Sequence, residues 1–85
     1  MTQLSLVKFR DKNTIEQFAN HFKKTRLSLD ITQEQLSYKT DVSLSQIARI
    51  ETAKINPTLC TIIELAKGLE IHPKELLNFD IDNKK

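Results

Sequence analysis

A single cysteine, Cys60, stands in a chain of 85 residues, so no internal disulfide can form. No apolar run is long enough to span a bilayer, and the N-terminus lacks the pattern of a secretory signal peptide, so a soluble, cytoplasmic protein without membrane partners is expected. Repeats and low-complexity segments are also missing. An excess of one charge sign is nearly absent: thirteen Lys and Arg against eleven Asp and Glu leave a formal net charge of +2, too little by itself to indicate a polyanionic partner. The distribution leans slightly, with nine basic against six acidic side chains through residue 56 and four against five thereafter. A solvated surface accounts for that lean as readily as a nucleic-acid footprint does. His21 and His72 lie far apart, Cys60 has no adjacent base, and no stretch has metal-ligand spacing. Neither catalysis nor a metal or other cofactor is expected. Asp30, Glu34 and Asp41 read instead as loop, helix-start and turn residues.

What is present is helical periodicity. With 39% hydrophobic against 28% charged residues, the chain can fold as one domain of modest core without metals or disulfides. Thr14 and Gln17 have capping-box spacing, and Ile15, Phe18, Ala19 and Phe22 mark one apolar stripe, predicting a first helix that runs to about Leu27. Thr32 with Gln35 predicts a second helix from Gln33, carrying Leu36 inward and ending at Lys39 to Asp41, where Asp tolerates a left-handed turn. Ser43 with Gln46 predicts a third helix from Leu44 to Thr52, with Ile47 and Ile50 on one face. Thr58 can cap a fourth, in which Leu59, Ile62, Ile63, Ala66 and Leu69 form the expected core stripe. Pro73 suits the first position of a short fifth helix, with His72 as cap and Leu76 and Leu77 facing inward. Leu4–Phe9 and Leu77–Ile81 carry short alternations of strand period, readable either as paired strands or as a frayed arm and tail. The expected organisation is an N-terminal arm over 1–12, a helical domain over 13–78 and a C-terminal tail over 79–85.

The second and third helices are joined by so short a turn that they must cross steeply, sharing Leu36, Val42, Ile47 and Ile50 as core while Ser45, Gln46 and Arg49 face outward. The ordered residues Arg26, Thr32-Gln33-Glu34-Gln35-Leu36, Val42-Ser43, Ile47, Arg49-Ile50-Glu51, Asn56-Pro57-Thr58, Leu65-Ala66 and Leu76-Leu77 resemble the helix-turn-helix domain of the Cro and lambda-repressor type, also called the Xre family. The resemblance spans about residues 15 to 78. It implies an all-α, compact five-helix lambda-repressor-like domain that binds double-stranded DNA in the major groove.

Carried over residue by residue, the resemblance points to Leu44, Ser45, Gln46 and Arg49 as base contacts. Chemistry supports part of that set: Arg can bond guanine O6 and N7 in a bidentate pair, and Gln can do the same with adenine N6 and N7. Leu44 could only touch a thymine methyl or the sugar-phosphate edge. Gln46 could alternatively close a capping box on Ser43, and Arg49 could be a solvated helix residue. Phosphate contacts fall to Gln33, Ser43, Thr52, Lys54 and Asn56, the first favoured by the positive end of a helix. Lys23, Lys24 and Lys39 read more readily as surface charges. Arg26 and Glu51 occupy the family positions of a structural ion pair. Where relatives often place glycine, this chain has Asp30, Asp41, Ala53 and Glu70, so the turns at Ala53 and Glu70 should be strained or differently shaped; its only glycine, Gly68, comes two residues early.

The function implied is a transcriptional regulator acting as a homodimer on a partly palindromic operator, without a small-molecule ligand. Its dimer surface is expected on the fourth and fifth helices and the chain ends, where Cys60, Phe79, Ile81 and the N-terminal apolar residues are candidates to lie outside the core. Controller proteins of restriction-modification systems, small phage-type repressors and antitoxins all fit this description. The competing class is a helical protein-interaction module that does not bind DNA, with Leu44 as an anchor.

Overall fold

The computed structural model describes residues 11–80, and within them the chain forms α1 (Lys12–Ser28), α2 (Gln33–Lys39), α3 (Leu44–Glu51), α4 (Leu59–Leu69) and a short 3-10 helix (Pro73–Leu77). Four α-helices and a 3-10 turn thus replace the expected five helices; five residues starting at a proline and ending at Leu77 are too few for regular α-helical bonding to propagate. No strand occurs among the described residues, and Leu77 ends the 3-10 helix rather than opening a strand. The proposed partner strand Leu4–Phe9, and Ile81, lie outside the described residues.

Each helix begins where a side chain can accept its free N–H groups. Thr32 and Gln35 form a reciprocal capping box, the Thr32 hydroxyl accepting from the Gln35 N–H at 3.0 Å and the Gln35 carbonyl oxygen accepting from the Thr32 N–H at 2.8 Å. Ser43 and Thr58 accept from the N–H of Gln46 and Thr61, and His72 Nδ1 accepts from the Lys74 N–H at 3.0 Å ahead of Pro73. The start of α1 differs from expectation. Asp11, not Thr14, is the cap: its carboxylate accepts from the Asn13 and Thr14 N–H groups and from the Thr14 hydroxyl at 2.8 Å. The hydroxyl bond foremost, then the Thr14 backbone N–H, holds the Asp11 carboxyl below its ordinary value. An ionised carboxylate makes stronger capping bonds than a hydroxyl, so the helix reaches back to Lys12.

Phe22, Leu36, Ile47, Ile50, Leu65 and Leu76 are completely enclosed, one or two from each helical element, and each such burial stabilises by about 1.5–3 kcal/mol. Phe18 stacks on Phe22 with centroids 6.0 Å apart and meets Phe79 edge-on at 6.2 Å, so Phe79 packs against the core rather than standing outside it. The apolar stripe of α4 is the expected one at Ala66 and Leu69, with Ile62 packed against the core, but it is rotated away from Leu59 and Ile63 toward Leu65 and Gly68. Leu65, Ala66, Gly68 and Leu69 are buried, Ile62 and Ile63 are half-buried, and Leu59 is 67% exposed. Leu76 is buried as expected, but Leu77 is 50% exposed, because consecutive residues of a 3-10 turn point about a third of a turn apart.

Gly68 explains that rotation. A Cβ there would collide with Thr40 Cγ2 and come within 2.8 Å of Leu36 Cδ1, so the absence of a side chain lets α4 press against the end of α2. Asp30, Ala53 and Glu70 have φ of 57°, 59° and 59°, the left-handed conformation that favours glycine, each at a cost of roughly 1–2 kcal/mol. Asp41 is not among the positive-φ residues. The turn between α2 and α3 is made instead by Thr40, whose hydroxyl donates to the Leu36 carbonyl at 2.9 Å and accepts from the Val42 N–H at 3.1 Å, with the Asp41 N–H donating to Glu64 Oε2 at 3.3 Å.

Candidate nucleic-acid interface

Helix α3 is held from behind. Ile47 and Ile50 are fully enclosed and Val42 nearly so, so the helix cannot roll without exposing them, and its opposite face is left to solvent. That face carries Ser43, Leu44, Ser45 and Arg49, all exposed. Leu44 is 40% exposed at the first position of the helix, a cost in apolar surface that packing within the chain does not recover. Gln46 is half-buried and lines a depression with Val42, Cys60 and Glu64. Unlike Gln35 in α2, it does not close a capping box, so its amide is not committed to the Ser43 backbone. Thr52 is the C-cap of α3 rather than its last helical residue, and its hydroxyl donates to the Ala48 carbonyl at 2.9 Å. Lys54 and Asn56 are exposed on the segment that follows. Among the described residues neither Arg49 nor Lys54 joins an ion pair, which leaves both cations free for an anionic partner. The arrangement is a ridge of hydroxyl, amide and guanidinium groups next to a basic, polar strap.

Behind the ridge lies the Arg26–Glu51 pair. The Arg26 Nε donates to Glu51 Oε2 at 2.6 Å and its Nη2 to Oε1 at 3.0 Å, with side chains only 7% and 2% exposed. Arg26 Nη1 donates to the Ile31 carbonyl at 2.7 Å, tying the end of α1 to the loop before α2. A further contact could not be anticipated from spacing alone: the Gln33 Nε2 donates to Glu51 Oε1 at 2.9 Å. The first residue of α2 is thereby attached to the last residue of α3. Thr40, which shapes the turn, also escaped the sequence reading, although a Thr two residues before the Val42 N–H is a recognisable side-chain turn signal.

Elsewhere, His21 Nε2 bonds the Glu75 carbonyl oxygen at 2.6 Å and His72 serves as a cap. Among the described residues no three His, Cys, Asp or Glu side chains stand close enough to hold a metal ion, and no helix is long and apolar enough to cross a membrane.

A helix-turn-helix family model, HTH_3, matches residues 22–76. The control protein C.BamHI of Bacillus amyloliquefaciens is 33% identical over 63 residues, which cover 73% of this chain and 78% of that protein. The solved restriction-modification controller C.AhdI of Aeromonas hydrophila superposes with a TM-score of 0.70 at 27% identity, covering 73% of this chain and 94% of its own. The controller C.Esp1396I, solved as a tetramer in complex with its natural 35-base-pair operator, superposes with a TM-score of 0.67 at 30% identity, covering 76% of this chain and 96% of its own.

Proposed function

Since the chain belongs to the HTH_3 helix-turn-helix family, we propose that it is a sequence-specific transcriptional regulator that binds a palindromic DNA operator as a homodimer. The observation that carries the reading is the exposed ridge of α3, polar and cationic, mounted on fully buried Ile47 and Ile50. Arg49 and Gln46 read base edges, while Leu44 and Ser45 line the groove. Ser43, Gln33, Lys54 and Asn56 hold the backbone, joined by Thr52 once its hydroxyl turns from the Ala48 carbonyl, and these contacts set register without reading sequence. No enzymatic role is assigned, and the site of action is the cytoplasm.

One recognition helix covers only a few base pairs, so a useful affinity needs two copies about 34–36 Å apart along the duplex. Leu59, Cys60 and Ile63 recur on one side of α4, outside the domain's core, and Leu59 is two-thirds exposed. A self-complementary contact across this face supplies the two-fold. The likeness to the restriction-modification controllers C.AhdI and C.Esp1396I favours a controller role here, exercised by binding an operator.

A gel shift over a range of salt tests the reading. Binding that neutralises backbone phosphates with Lys54 and Arg49 should weaken steadily as salt is raised. A helical interaction module would shift no duplex at any salt.

A further inference from the structure

We propose that Glu51 is a positioning residue for the DNA backbone contact: its buried carboxylate fixes the Gln33 amide with an N–H group available to a phosphate. The inference rests on the DNA-binding reading and adds to it a second task for a carboxylate otherwise explained by its pairing with Arg26.

The ion pair is complete without Gln33. Arg26 already supplies two donors to the two oxygens of Glu51, yet Oε1 accepts a third bond, from Gln33 Nε2 at 2.9 Å. The guanidinium fork leaves the carboxylate no freedom to rotate. An ionised carboxylate only accepts, so the amide must keep its nitrogen toward Glu51 and cannot turn its oxygen there. One of the two Nε2 hydrogens is thereby spent on Glu51, and the other has no protein partner among the described residues. Arg26 also holds the Ile31 carbonyl, two residues before Gln33, so the backbone carrying the amide is set by the same cation. Gln33 is half-buried, and the uncommitted hydrogen belongs to an amide whose rotation is already restricted before any partner arrives. A phosphate oxygen, which can only accept, is the complementary group.

The test uses a duplex selected from a random pool by the wild-type protein, with single phosphates replaced one at a time by neutral methylphosphonate. Wild type should show one position per half-site at which replacement weakens binding about tenfold and at which Gln33→Ala shows no further loss. Glu51→Gln, which can offer Gln33 either an oxygen or an N–H, should erase the same sensitivity while Arg49-dependent base preference persists. A folded Glu51→Gln protein that keeps the sensitivity overturns the proposal. If that variant does not fold, NMR of the free wild-type protein decides: one Gln33 amide proton should exchange more slowly than in a short peptide, and two fast-exchanging protons overturn the assignment. Failure of the wild type to bind any duplex is a separate result, which removes the parent reading and this one together.

Discussion

Replacing Glu51 by alanine should be the most damaging single change in this domain outside its apolar core. The substitution leaves the Arg26 guanidinium with a side-chain exposure of 7% and two of its donors without acceptors, and it deprives the Gln33 amide of its partner. Removing one partner of a buried, hydrogen-bonded pair costs about 3–5 kcal/mol, against less than about 1 kcal/mol for an exposed pair. For a domain of this size each 1 kcal/mol lowers the melting temperature by about 4–8 °C, so a fall of roughly 12–40 °C is expected. Total stability for such a chain is only on the order of 4–13 kcal/mol, and the variant should stand near the edge of folding at room temperature. Thermal melts followed by circular dichroism measure this directly. The double variant Arg26→Met, Glu51→Leu supplies the control, because apolar side chains of similar volume remove both charges together; although it leaves the part-buried Ile31 carbonyl and Gln33 amide without these partners, it should melt well above Glu51→Ala. A Glu51→Ala protein that melts less than about 4 °C below wild type would refute the argument, since it would mean that water or a shifted backbone solvates Arg26 at little cost.

Leu59→Glu should leave the melting temperature of the dilute protein nearly unchanged yet convert a dimer to a monomer in sedimentation equilibrium; a persisting dimer would place the two-fold elsewhere. Ala53→Gly relieves a φ of 59° and should stabilise the domain by about 0.5–1 kcal/mol after the added freedom of the unfolded chain is counted. A loss of stability would show that the turn is not left-handed in solution. Gly68→Ala should do the opposite. Its new Cβ meets Thr40, whose hydroxyl is already bonded to Leu36 and Val42, so an overpacking cost of about 1–3 kcal/mol exceeds a helix-propensity gain of at most about 1 kcal/mol. Denaturant titration that found Gly68→Ala stabilising would remove the close approach of α4 to α2.

The helix starts at Gln33, Leu44, Leu59 and Pro73 were legible because Thr32, Ser43, Thr58 and His72 act within three residues of themselves. The core of the two-helix motif was legible for the same reason, since Leu36, Val42, Ile47 and Ile50 lie close in sequence and share one enclosed cluster. Asp11 is harder to read as the cap because Thr14 offers another three residues later, and the competition is decided by charge rather than by spacing. Composition does not show that α4 turns Leu59 and Ile63 outward and Leu65 and Gly68 inward, since Leu59 and Ile63 are as apolar as the residues that are buried. What settles the rotation is a contact with Thr40, 28 residues away in sequence, which only the fold brings to Gly68. At the candidate site, the outward direction of Ser45 and Arg49 follows from periodicity. The attachment of Gln33 to Glu51 does not, because nothing local distinguishes an amide that solvates itself in water from one held by a carboxylate 18 residues on. Asp30, Ala53 and Glu70 stand in left-handed turns without glycine, a conformation that persists where the surrounding helices fix the chain path.

Selection of bound sequences from a random DNA pool, repeated with Arg49→Ala and Lys54→Ala, tests the recognition ridge most directly. The wild type should enrich two inverted half-sites centred about one helical turn apart. Arg49→Ala should then relax one base position in each half-site, worth about 1–3 kcal/mol, whereas Lys54→Ala should keep the same sequence and weaken all sites alike. Enrichment of no common sequence, or a preference that survives Arg49→Ala unaltered, would contradict the assignment of α3 as the element that reads DNA.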